Sequence, residues 1–337
     1  MALVKTLVIL KECEKEKFAV GAFNINGLDQ PAEIVKRANK LNAPILMVIP
    51  GVVEKYVDFE DFAAVTARAA RDAKIPVGIH LSHGGDLAQF ERAAKAGFTS
   101  IMIDGSSMEY EENVRLTKKA VEIGHKYGAA VEGELGAIGS SFATVEGSMT
   151  DPQLALDFVK RTGVDILAVS IGNSHGFYKG TPKLDFTRLD EIRNALEEEE
   201  VFLTLHGGTG IPKNDIQKAI KKGIVKICIY TELCVQGKAE ARKYIEELPD
   251  YIGNYDIPEL YKAINHGFTC AEEECIKTFM SDGHGNMNIS GEELEYSVRV
   301  RKKNGDRINQ EIGPIYPSMP AETHRFLKNT GYWNKNV

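Results

Sequence analysis

From Phe18 onward the chain alternates short apolar runs with amphipathic stretches, eight times over in about 230 residues. The runs are "FAVGAFN", "APILMVI", "IPVGIHL", "FTSIMID", "AAVEGEL", "VDILAVSI", "VFLTLHG" and "IVKICIY". Each is strand-length, and each is followed by a segment with helical spacing of its apolar residues, such as "DQPAEIVKRANKLN" after the first and "DLAQFERAAKAG" after the third. Strands separated by helices cannot pair as hairpins, so the sheet they form is parallel. Eight such units predict a closed (β/α)8 TIM barrel rather than an open doubly wound sheet. No G-x-G-x-x-G follows the first strand, which argues against a dinucleotide fold. The barrel is expected over residues 1–255. A C-terminal extension, 256–337, begins with a pair of helices in "IPELYKAINHGFTCAEEECIKTFM". Its remainder is rich in Asn, Gly and charge and is expected to pack on the barrel or on a partner subunit.

Composition excludes several roles. A formal net charge of -7 with no basic stripe gives no footprint for nucleic acid. The longest apolar runs are strand-length, so none is expected to span a membrane. The apolar start "MALVKTLVIL" runs into a charged cluster without a small-residue cleavage site, and reads as a helix rather than a signal peptide. Five irregularly spaced cysteines, an odd count, predict reduced thiols and a cytoplasmic protein.

In a barrel of this kind chemistry collects where the strands end. Polar residues cluster at those positions here. Asn24 ends the first strand, His80 and His83 the third, Asp104 the fourth, and Glu132 and Glu134 the fifth. Asn173 and His175 follow the sixth, His206 ends the seventh, and Cys228, Tyr230 and Thr231 end the eighth. Any one of the histidines, alone, reads as an ordinary hydrogen-bonded side chain. Three of them, His83, His175 and His206, at strand ends facing one mouth, suit a catalytic Zn2+ with open positions for substrate. His125, His266, His284 and His324 lie on a helix or in the extension and read as structural.

Two glycine-rich loops follow neighbouring strands, "GNSHGFYKG" and "HGGTGIP". Glycines let backbone N–H groups approach an anion, and the helix start that follows adds a favourable dipole. With Lys179, Thr209 and Thr231 as side-chain donors, the loops after strands six to eight form a candidate phosphate site.

The stretches "GAFNIN", "AGFTSIMIDGSSMEYEENVRLTKKAVEIGHKYGAAVEGELGAIG", "TGVDILAVSIGNSHGFYKGTPKLDFTRLDEI", "LHGGTGIP" and "TEL" resemble the class II, zinc-dependent fructose-bisphosphate and tagatose-bisphosphate aldolases, from about Val4 to about Met280. The resemblance implies His83, His175 and His206 as zinc ligands. It implies Glu134 as an acid holding the metal in an alternative position, with His80 beside it. It implies Gly176, Lys179, Gly207, Gly208 and Thr209 around the phosphate of the dihydroxyacetone phosphate half, with Thr231 nearby, and Asn24 at the substrate. The implied reaction is cleavage of a ketose 1-phosphate derivative between C3 and C4, in a homodimer or homotetramer whose only other partner is a small sugar phosphate.

The sequence departs from that family at the acid–base positions. Ser82 stands where the family has the Asp that acts on the C4 hydroxyl, and a serine hydroxyl is too weak an acid to serve alone as a base near neutral pH. Phe142 stands in place of a loop Glu, with Glu146 four residues on as its replacement. Cys228 stands in place of a substrate-binding Asn, and Ile49 in place of a Ser or Thr ending the second strand. Tyr230 lies on the same strand face as Cys228 and Lys226. Three readings follow: a lyase with an altered substrate, in which Ser82 stays at the site and another acid such as Glu146, or a zinc-bound water, moves the protons; a sugar-phosphate isomerase or epimerase that only enolises; and a non-catalytic sugar-phosphate-binding protein.

Overall fold

The computed structural model describes residues 3–140, 147–178, 180–248 and 256–287. Eight parallel strands close into a barrel in sequence order: β1 Val20–Asn24, β2 Ile45–Pro50, β3 Val77–Gly84, β4 Ser100–Ile103, β5 Ala130–Leu135, β6 Ile166–Val169, β7 Phe202–Leu205 and β8 Ile224–Ile229. The predicted (β/α)8 TIM barrel is therefore what the chain forms. A helix α1, Thr6–Glu16, precedes the first strand, and α2 Gln30–Lys40, α3 Phe59–Arg71, α4 Leu87–Ala96, α5 Tyr110–Tyr127, α6 Pro152–Thr162, α7 Phe186–Ala195, α8 Lys213–Lys221 and α9 Thr231–Glu247 follow the strands in turn. Two short strands in the loops after β5 and β6, Gly139–Ser140 and Ser174–His175, pair with each other above the barrel. Among the described residues no helix is long and apolar enough to cross a membrane.

Local chemistry sets these boundaries. Asp58, Asp86, Asp151 and Asp185 each precede a helix and accept hydrogen bonds from its first N–H groups, which would otherwise lack partners. Three of the helices, α4, α5 and α6, stop at glycines with positive φ. Because strand side chains alternate, the apolar residues divide into two layers. One lies between sheet and helices. The other fills the barrel's lower interior with Val20, Ala22, Leu46 and Val48, sealed from below by Val8, Ile9, Leu10 and Cys13 of α1. The N-terminal segment thus plugs the barrel. Ile49 belongs to the outer layer with Ile45, Met47 and Leu81, and β2 directs Leu46 and Val48 inward. Ile49 therefore does not line the mouth; Pro50, opposite Ser82 in register, is the β2 residue at that level.

The segment expected to hold two helices is one continuous helix, α10, Asp256–Thr278. It carries no proline or glycine that breaks the ladder beyond its first turn until Gly267, and there the missing side chain is what lets α9 pack close. A Cβ at Gly267 would lie 2.4 Å from the Gln236 carbonyl oxygen. The inner half of α10 buries Phe268, Ala271 and Ile276 against the barrel core. Replacing Gly267 with Ala should lower stability by about 1–3 kcal/mol through overpacking, outweighing the roughly 1 kcal/mol gained in helix propensity. Urea unfolding measures this as a lower midpoint at unchanged slope.

Candidate active site

At the centre of the barrel, above the apolar plug, lies a buried ionic layer. Lys226 of β8 is fully buried and donates to Glu132 of β5 in a short hydrogen bond and to His80 Nε2 at 3.1 Å. His80 in turn donates from Nδ1 to Ser100 Oγ at 2.8 Å, and Ser100 is joined to Thr6 of α1 at 2.9 Å. Burial and the Lys226 charge hold His80 well below its ordinary pKa, so it stays neutral and accepts from the ammonium. Burial works against the Glu132 charge, but Lys226 and the neighbouring imidazoles hold its carboxyl well below the usual range. His80, placed beside the metal by resemblance, here serves Lys226.

The other oxygen of Glu132 reaches His206, whose Nε2–H donates to it at 2.7 Å. That bond leaves Nδ1 as the remaining nitrogen of the ring. His83 is held in the same way from the other side: its Nδ1–H donates to Asp104 Oδ2 at 2.8 Å, and Asp104 is fixed by Ser106. Burial alone would raise the Asp104 carboxyl, yet His83 and Ser106 hold it well below its usual range. The ring centroids of His83, His175 and His206 lie 5.0, 4.9 and 5.8 Å apart, and one nitrogen of each falls within 4.8 Å of the others. Burial lowers His83 despite Asp104, and burial with the neighbouring rings pushes His175 down to about 3. Both are therefore neutral, as a metal ligand must be. Burial opposes a proton on His206, but Cys228 and Glu132 raise it to about 10, so this ring carries a second proton that a bound metal would have to displace.

Strict alternation along β3 would send His83 outward with Leu81. Instead the register of β3 with β4 shifts between Leu81 and Gly84, and His83 takes a left-handed φ of 49°. This irregularity turns the ring into the mouth. Below it, Ser82 faces the interior and is 1% exposed.

A second group of potential ligands joins His83 to Asp104 and Glu134. Glu134 is nearly fully buried, and burial and the Asp104 charge push it up to about 8. Its Oε2 meets no hydrogen-bond partner among the described residues. Asn24, at the end of β1, likewise buries an Oδ1 without one. Buried polar atoms normally have partners, so both mark places shaped for something that binds.

The loops after β6 and β7 are tied together. Asn173 donates to the His206 carbonyl at 3.0 Å, and the Tyr178 hydroxyl donates to the Gly207 carbonyl at 3.0 Å while accepting from Ser174 N–H at 2.8 Å. Gly207 has φ 69°, and a Cβ there would meet the Ser174 carbonyl oxygen at 2.2 Å, so only glycine fits. Gly176 is also left-handed, and Gly208 packs on Ile227 and Ile229. Thr209 accepts from the Glu232 N–H at 3.1 Å, which joins this loop to the start of α9 at Thr231. Tyr178 carried no signal in the sequence beyond its glycine-rich surroundings. Cys228 faces the interior with Sγ 3.5 Å from His206 Nε2. Burial would raise its pKa, but His206 and Lys226 draw it below the ordinary value. Tyr230 lies at the rim and donates from its hydroxyl to Asn26 at 2.7 Å. Lys179, Phe142 and Glu146 lie outside the described residues. Of the histidines set aside as structural, His125 pairs with Asp165 and His284 stacks on Phe18.

The sequence profile of class-II fructose-bisphosphate aldolases matches residues 4–284. The chain belongs to that family. It is 38% identical over 256 residues to a fructose-bisphosphate aldolase of Geobacillus stearothermophilus, covering 74% of this chain and 88% of the relative. Among solved structures, the YdjI aldolase of Escherichia coli K12 superposes with a TM-score of 0.74 at 33% identity, over 84% of this chain and all of that one. The fructose-bisphosphate aldolase of Campylobacter jejuni shares the fold, with a TM-score of 0.69 at 22% identity over 81% of this chain and 93% of that one. In this aldolase-family barrel, the buried ionic layer carries the clearest energetic expectation. Lys226→Met should cost about 3–5 kcal/mol, because it leaves Glu132 charged and buried without its ammonium partner. The double variant Lys226→Met/Glu132→Gln should recover part of that loss in a urea-denaturation cycle.

Proposed function

We propose that the protein is a zinc-dependent aldolase that cleaves a ketose 1-phosphate, or a related sugar phosphate, to dihydroxyacetone phosphate and an aldehyde. The observation that carries this reading is the convergence of His83, His175 and His206, two of them held by carboxylates through the nitrogen turned away from the centre. His83, His175 and His206 would hold the metal, and Glu134, with its unpartnered oxygen, would offer it an alternative place. When bound there, Zn2+ supplies Lewis-acid polarisation of the ketone and stabilises the charge that develops on its oxygen.

The remaining work falls to the chain. Gly176, Gly207, Gly208 and Thr209 present backbone and side-chain donors to the phosphate, joined by Lys179 and Thr231. Asn24 directs its free Oδ1 at a substrate hydroxyl. Ser82 hydrogen-bonds the C4 oxygen without acting as base, and Glu146 takes up the proton. Cys228 and Tyr230 flank the aldehyde half. Loss of a base at Ser82 harms cleavage more than enolisation, which gives the isomerase or epimerase reading its one support. Exchange of a C3 hydrogen of dihydroxyacetone phosphate without any cleavage would select that reading.

Replacing His83, His175 or His206 with Ala should abolish tight zinc retention after dialysis, as read by atomic emission. Unchanged metal content would remove the assignment. Chelation should stop release of dihydroxyacetone phosphate from fructose 1-phosphate, and zinc should restore it. Ser82→Asp should raise that cleavage by about 10²-fold, the lower end of what a positioned acid–base group contributes.

A further inference from the structure

We infer that the aldehyde half of the substrate is uncharged and largely apolar, and carries no second phosphate. This rests on the aldolase reading and adds the substrate class to it. Charge is the first ground. The described residues of the loops that follow the eight strands carry only two lysines, Lys55 and Lys183, against eight carboxylates, of which Asp58, Asp86, Asp151 and Asp185 are taken up as helix caps and Glu54 is paired with Arg92. Both lysines are exposed, and Lys55 lies over the Tyr56 ring at 4.9 Å to its centroid. A phosphate dianion is recognised by cations and convergent N–H donors. The glycine loops after β6 and β7 would supply one such site. A second phosphate at the mouth would face the Asp104 carboxylate, held ionised by His83 and Ser106, whose like charge repels it.

Apolar surface is the second ground, and it is independent of the first. Large apolar side chains that the protein leaves in water gather on the same loops. They are Leu28, Val52, Tyr56, Met108, Phe177 and Tyr230, with Val52 and Tyr56 three-quarters exposed. Scattered exposed apolar residues are ordinary, but a group around one opening marks a binding surface. Within the mouth, Cys228 offers a thiol where an amide would bind a hydroxyl. The Tyr230 hydroxyl is engaged by Asn26, so the ring rather than the polar tip is presented. A pocket of this kind gains about tenfold or more per added methylene and gains little from a hydroxyl.

The bond change is an ordinary aldol step. In the synthetic direction C3 of dihydroxyacetone phosphate loses a proton and its electron pair forms the bond to the aldehyde carbon. The carbonyl π pair moves to the aldehyde oxygen, which takes up a proton, and nothing is oxidised or reduced.

The test uses the zinc-loaded full chain. With dihydroxyacetone phosphate as donor, propanal, butanal and pentanal are compared with glyceraldehyde 3-phosphate. The kcat/KM for butanal should exceed that for glyceraldehyde 3-phosphate by at least tenfold and should rise with chain length. Calorimetry gives a readout without turnover: hexitol 1-phosphate should bind at least tenfold more tightly than hexitol 1,6-bisphosphate. Tyr230→Arg should raise kcat/KM for glyceraldehyde 3-phosphate about tenfold relative to that for butanal. Preference for the phosphorylated aldehyde, or tighter binding of the bisphosphate, overturns the inference while leaving the aldolase reading intact. Absence of C3 exchange in the zinc-loaded protein overturns both.

Discussion

A single buried ion pair organises this molecule. Lys226 and Glu132 meet at the barrel axis with no exposure to water. Such a pair gains little net stability, since desolvating two charges costs about as much as their attraction returns. Its consequence is positional. Glu132 has one oxygen for Lys226 and one for His206, so the ammonium on β8 fixes the carboxylate on β5, which fixes the imidazole on β7. His80 and Ser100 extend the chain through β3 and β4 to Thr6 on the plug helix. Five strands and the N-terminal helix are thereby joined beneath the three histidines.

The layer also sets protonation. An imidazole that donates through one nitrogen presents the other as a lone pair, provided no proton occupies it. Asp104 does for His83 what Glu132 does for His206, so two carboxylates outside the trio orient two of its rings. His175 is placed differently, by a short strand pairing with the loop after β5 and by the Asn173 and Tyr178 hydrogen bonds that lock its loop to the next. The same locking puts the glycines of the two loops side by side. The candidate metal ligands and the candidate anion loops share one set of contacts, so damage to the loop junction is expected to affect both.

Much of this was legible in the sequence. Eight strand-length runs alternating with helically spaced segments pointed to the barrel, because hydrophobic period acts locally. The three histidines were legible because barrel topology sends every strand end to one mouth. Other features were not. The turn of His83 into the mouth depends on a register shift and a left-handed backbone, which alternation alone would deny. The outward face of Ile49 depends on where β2 sits in register against β3. Lys226 read only as a lysine on the strand face of Cys228, since its partner is 94 residues away. The unbroken α10 depends on a close approach to α9 at Gly267 that only the packed structure reveals. In each case the deciding interaction is between segments distant in sequence.

The central claim is that His83, His175 and His206 hold zinc as imidazoles while Cys228, although next to His206, does not bind it. X-ray absorption at the zinc edge on the loaded protein tests this directly. Imidazole scattering from three ligands at about 2.0–2.1 Å with no sulfur shell is the expected result. A zinc–sulfur distance of about 2.3 Å, or fewer than three imidazoles, would contradict it.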